Sequence, residues 1–121
     1  MKLTVQELYN LTEGLSTLLD RELPTSVAFS IQRNFKKVGE EVKASDEVRK
    51  KIVEKYKQED NDDGTIQLKK DKLDDYKKES EELMAQEVEL DLKSINLSDL
   101  GNTIKPRTLG LLEPIIKEEE K

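Results

Sequence analysis

The apolar positions of this chain change period several times, and each period predicts an element. Leu8, Leu11, Leu15 and Leu18 recur at spacings of three and four, which places them on one face of an α-helix. Thr4 and Glu7 precede them as a capping box, with the threonine hydroxyl set to accept from the backbone N–H of Glu7 and the glutamate reaching back. Leu3 and Leu8 flank that box as a hydrophobic staple. Leu23-Pro24 ends that helix or starts the next, because proline disfavours helical dihedrals in the residue before it.

A second helical pattern runs from about Thr25 to about Glu59, with Ala28, Ile31, Phe35, Val38, Val42, Ser45 and Ile52 on one stripe. A helix of about 35 residues is roughly 50 Å long. It should pack on the first helix as a hairpin and run past it, unless Gly39 or Ala44-Ser45-Asp46 breaks it. The overhang should leave Phe35, Val38 and Val42 incompletely covered, which predicts a homo-oligomer.

Beyond the second helix, "EDNDDGT" at 59–65 is a turn signal, and Ile66 and Leu68 alternate as in a short strand. Asp71 is placed to cap a third helix carrying Leu73, Tyr76, Leu83 and Met84. Val88, Leu90 and Leu92 then alternate with acidic residues as a second strand, the natural partner of the first. Pro106 starts the last helix, with Leu109, Leu112 and Ile116 on one face. Pro114 removes a helical hydrogen bond and predicts a kink at 112–114, leaving 113–121 as a charged C-terminal tail closed by "KEEEK". The expected architecture is a single α+β, mostly helical domain over 1–121. It comprises a long helical hairpin, a small two-stranded β element and a short kinked C-terminal helix.

Composition narrows the function. With 34% hydrophobic and 40% charged residues in 121, the core is lean, a second reason to expect an oligomer. The net charge of −6 works against duplex nucleic acid, whose binding depends on basic faces. Histidine and cysteine are both missing, which removes the commonest general base, the thiol nucleophile and the commonest transition-metal ligands. No Gly-rich phosphate loop or nucleophile elbow is present, and paired acids such as Asp74 and Asp75 point in different directions on a helix. The chain is therefore expected to be no enzyme and to carry no cofactor and no metal. No apolar run is long enough for a membrane span, and the N-terminus lacks a signal-peptide pattern, so a cytoplasmic location is expected.

The acidic turn tests poorly as a calcium loop. Setting Gly64 at the sixth position of an EF-hand puts Glu59, Asn61 and Asp63 at the first, third and fifth and Ile66 at the eighth. The twelfth position needs a bidentate glutamate, and Lys70 stands there. A plain polar turn is expected.

Two basic clusters remain. Arg33, Lys36 and Lys37 share a turn of the second helix, with Glu40 and Glu41 following. Lys105 and Arg107 flank Pro106, Thr108 adds a hydroxyl, and no acid lies between Asp99 and Glu113. Backbone N–H groups at a helix start favour an anion. The expected phosphate site is Lys105, Arg107 and Thr108, with Arg33 and Lys37 joining from the same or another subunit.

"ELP" at 22–24, Asn34, "EKY" at 54–56 before an acidic-Gly turn, "EEL" at 81–83, "EVELDLKSINLSDL" at 87–100 and "IKP" at 104–106 occur together. In these motifs, spread over nearly the whole chain, the sequence resembles a family of small uncharacterised proteins of Gram-positive bacterial phages and prophages. The resemblance brings no catalytic residues. It implies a phage protein at work in the host bacterial cytoplasm or in the particle assembled there. The function expected is that of a non-catalytic accessory protein that sequesters a small anionic ligand, such as a nucleotide immune signal, or blocks a host defence protein. The alternative is a virion or tail-assembly component.

Overall fold

The computed structural model describes residues 1–60, 66–68, 73–101 and 103–117, with backbone alone at 57–60 and 66–68. The calcium-loop positions from Asn61 to Lys70 apart from 66–68, the Asp71 cap and residues 118–121 lie outside the described residues.

The fold is α+β and mostly helical, as its pattern predicts. Strand β1 (Lys2–Thr4) leads into α1 (Val5–Leu18), then α2 (Thr25–Tyr56), β2 (Lys57–Asp60) and β3 (Ile66–Leu68). Helix α3 (Leu73–Met84), strand β4 (Glu87–Glu89) and strand β5 (Ile95–Asn96) follow, and a 3₁₀ turn occupies Leu97–Leu100. The chain ends its described part with α4 (Pro106–Leu112), a 3₁₀ turn at Glu113–Ile115 and β6 (Ile116–Lys117).

The capping box forms as expected. Glu7 N–H donates to Thr4 Oγ1 at 3.1 Å, and Thr4 N–H donates to Glu7 Oε1 at 3.0 Å. Behind it Leu8, Leu11 and Leu15 are fully buried and Leu18 nearly so. They meet Val27, Ile31 and Val38 of α2 on one side and Leu112 of α4 with Ile115 on the other.

Helix α2 runs unbroken for 32 residues through Gly39 and Ser45, about 48 Å against about 21 Å for α1. Its overhang is covered in part, with Val48 still 44% exposed. Val38 is fully buried, Phe35 and Val42 pack against the core, and α3 lies along the distal half of α2. Of the residues on which the oligomer expectation rested, Val38 is covered within one chain, while Phe35 and Val42 are half-buried. The buried stripe also starts at Val27 rather than at Ala28, which is exposed, and it includes a polar residue, Asn34.

The strand pairing differs from the one predicted. β3 pairs antiparallel with β2, the chain just before it, while β4 pairs with β1 at the start of the chain. In that second ladder Leu3 faces Val88 toward the core, and Lys2 faces Glu89 outward. Apolar alternation told which residues face in but carried no information on partners. The predicted strand over 88–92 is also cut short: past Leu90 the chain leaves β1, and Leu92 reaches the core from an extended segment without ladder bonds.

The break before Pro114 is present, with α4 ending at Leu112 and a 3₁₀ turn carrying the proline. The buried face is Thr108, Leu112 and Ile115, set by the docking of Leu112 against Gly14 of α1, and Leu109 and Ile116 are left half-buried. Residues 113–117 are therefore no solvated tail: Ile115 is a core residue and β6 pairs in parallel with β5.

Candidate functional site

α1 and α4 approach closely because Gly14 has no side chain. A Cβ on Gly14 would lie 2.9 Å from Leu112 Cδ2 and Cγ and 3.1 Å from Leu111 Cβ. Beside that contact, between α1 and the segment 103–111, lies a cleft of about 470 Å³. This lies within the size range of small-molecule sites, about 300–1,000 Å³.

One wall comes from Glu13 and Thr17, which are one turn apart on α1, and from Arg21 just past the helix end. The other comes from Thr103, Ile104, Lys105, Arg107 and Thr108. Leu18 and Leu111 complete the lining, so cations, hydroxyls and aliphatic groups share it.

Arg21 is fixed in place. Its Nη2 donates to the Leu100 carbonyl oxygen at 2.7 Å. Gly101, next in the chain, has φ 86°, a value L side chains rarely adopt, and a Cβ there would sit 3.4 Å from the same guanidinium. The turn thus presents a carbonyl to Arg21 and lets the backbone pass over it. Arg107, by contrast, is 83% exposed at its side chain and reaches Glu13 Oε1 with Nη2 at 3.4 Å. The basic pair expected to be uncompensated therefore has an acid, supplied from α1 across 94 residues of sequence.

The structure brings together Lys105, Arg107 and Thr108 of the expected site and adds Arg21, Glu13, Thr17 and Thr103. Arg33 and Lys37 do not line the cleft. The Arg33 guanidinium lies 5.6 Å from the centre of the Phe29 ring, and Lys37 Nζ donates to the Asp91 carbonyl oxygen at 2.6 Å. The start of α4 adds little to the field there, since that helix has seven residues and so little summed dipole. Thr108 is 9% exposed, which places it at the base of the cleft rather than on its rim.

Three cations against one carboxylate give the cleft a positive field in an acidic protein. A wider groove of about 610 Å³ on the other side of α4, lined by Leu97, Pro106, Leu109, Gly110, Glu113 and Ile116, has no cation to offer. Arg21 was missed from sequence because nothing local pairs it with 103–108. Its spacing after Glu13 and Thr17, two helical turns in all, was the one available signal.

The fold and the cleft define a mostly helical α+β protein with a basic recess beside α1, and among the described residues no helix is long and apolar enough to cross a membrane. Set against known proteins, the chain finds no matching family model, no matching curated protein and no matching solved structure.

Proposed function

We infer that this protein is a non-catalytic binding module whose ligand is a small anion held between α1 and the segment 103–111. The observation that carries the reading is the convergence of Arg21, Lys105 and Arg107 on one cleft, with the hydroxyls of Thr17, Thr103 and Thr108 among its lining residues. Guanidinium groups suit phosphate because they donate in a planar fork and keep their charge at any physiological pH. The chain has no histidine or cysteine to act as base or nucleophile, which supports capture rather than turnover. The resemblance of the sequence to phage and prophage proteins supports a setting in an infected bacterium, where sequestering a nucleotide-like signal would be the task.

The test is a thermal-shift screen of pyrophosphate, cyclic dinucleotides and ADP-ribose derivatives on the wild type and on Arg107→Glu. A ligand at about 100 times its dissociation constant stabilises the fold by about 2.7 kcal/mol. The expected result is a shift in the wild type that Arg107→Glu abolishes. A flat screen, or a shift untouched by Arg107→Glu, overturns the assignment to this cleft.

A further inference from the structure

Glu13 is the one carboxylate among the residues lining the cleft, and it is already engaged with Arg107. Resting on the anion-binding reading above, we propose that Glu13 is a built-in competitor that occupies Arg107 until a dianionic phosphate group displaces it. Arg21 and Arg107 differ in a way that fits this division of labour. Arg21 is bonded to the Leu100 carbonyl oxygen and is part-buried, so it forms a fixed half of the site. Arg107 is 83% exposed and its bond to Glu13, at 3.4 Å, is long, so it is free to turn into the cleft.

The charges then select the ligand class. With Glu13 in place the lining carries three positive charges and one negative, a surplus that a dianion neutralises. A carboxylate monoanion offers Arg107 only the group that Glu13 already supplies from within the chain. Such an exchange gains little and costs the freedom of a second molecule. A phosphomonoester or pyrophosphate brings more charge and further acceptor oxygens for Arg21, Lys105 and the threonine hydroxyls. The pair therefore sets a threshold: it empties the cleft of abundant monoanions and yields to phosphate.

The experiment is an NMR titration at low ionic strength and mildly alkaline pH, following the amides of Thr17, Thr103 and Thr108. Pyrophosphate and acetate are added to the wild type, Glu13→Gln, Arg107→Gln and the double variant. Glu13 and Arg107 are both solvent-exposed, so these variants keep the fold, which the spectra themselves report. Pyrophosphate should bind the wild type and acetate should not. Glu13→Gln should tighten pyrophosphate by about three- to fivefold, the scale of an exposed ion pair. In the Arg107→Gln background the same change should have no effect. Equal affinity in wild type and Glu13→Gln, with Arg107 still required, overturns the competitor while leaving the cleft reading standing. A gain that persists in full without Arg107 means that Glu13 merely repels anions, and it also overturns the competitor. Acetate binding as tightly as pyrophosphate overturns the selection of phosphate over monoanions. Failure of all four proteins to bind pyrophosphate overturns the cleft itself.

Discussion

The carboxamide of Asn34 closes on the backbone of Lys93 from both directions. Nδ2 donates to the Lys93 carbonyl oxygen at 2.8 Å, and the Lys93 N–H donates to Oδ1 at 2.9 Å. Asn34 is 1% exposed, so a side chain on α2 takes the place of a neighbouring strand for the extended segment 91–94. That clamp is what lets Leu92 and Ile95, on either side of Lys93, both reach the core.

Removing the clamp should be costly. Asn34→Ala leaves a donor and an acceptor of the backbone without their partner, and each unmet buried group costs about 1–3 kcal/mol. A loss of roughly 2 kcal/mol is expected by urea unfolding. Asn34→Asp tests the geometry further. Its carboxylate accepts from Lys93 N–H but faces the carbonyl oxygen with a second acceptor, so the folded state favours the protonated acid. A pKa raised by folding gives stability that is present below the ordinary aspartate value and lost as pH rises through the raised one. Asn34→Asp should therefore approach wild-type stability on acidification and fall behind at neutral pH; a deficit independent of pH would count against the paired bonds.

Two glycines should respond in opposite directions. Gly39 stands inside α2 with nothing within 4 Å of a built Cβ, so Gly39→Ala gains helix propensity and should stabilise by about 0.5–1 kcal/mol. Gly14→Ala has the same propensity gain but drives a methyl to 2.9 Å from Leu112, which is fully buried and has nowhere to go. Overpacking costs about 1–3 kcal/mol, so a net loss is expected, with the α1–α4 contact disturbed. Thermal melts of the two variants check the contrast.

The capping box at the β1–α1 junction makes a smaller and more local prediction. Thr4 accepts from Glu7 N–H, and replacing a capping threonine by alanine costs about 1 kcal/mol. Thr4→Ser should retain most of it. Equal stability of Thr4→Ala and Thr4→Ser would show that the cap contributes nothing.

The α2–α3 contact should weaken at both ends of the pH range. The Lys55 ammonium donates to Glu79 Oε1 at 2.9 Å and, with the nearby Tyr56 hydroxyl, holds the Glu79 carboxyl below its usual pKa. Glu79 in turn raises both Lys55, through the hydrogen bond it accepts, and the neighbouring Tyr56 hydroxyl. A depressed carboxyl contributes above its unfolded pKa and loses that contribution as pH falls through the folded value. The raised Lys55 and Tyr56 contribute below their unfolded values and lose that as pH rises through the folded ones. The α2–α3 contact, followed by the Tyr56 and Tyr76 ring signals, should therefore loosen on acidification through the carboxylate range and again at strongly alkaline pH. Glu79→Gln should flatten the acid side; an unchanged acid response would assign it to other groups.

Within the chain, the helices were legible because each is specified by its own neighbours. Leu8, Leu11, Leu15 and Leu18 share a face by spacing alone, Thr4 and Glu7 cap each other within one turn, and Pro114 interrupts a helix wherever that helix packs. The Lys105, Arg107 and Thr108 cluster was legible for the same reason. What α2 is covered by, which strand pairs with which, and where the basic pair finds its acid were decided by contacts between residues far apart in sequence. The repeat of apolar positions says that a face is buried but not against what, so the docking of α3 on the distal half of α2 lay beyond its reach. Asn34 looked like any polar helix position until the Lys93 backbone met it, and Glu13 like any surface acid until α4 docked beside Gly14. Tertiary structure alone could bring Arg21 to Arg107, because charge acts across space and the sequence orders residues only along the chain.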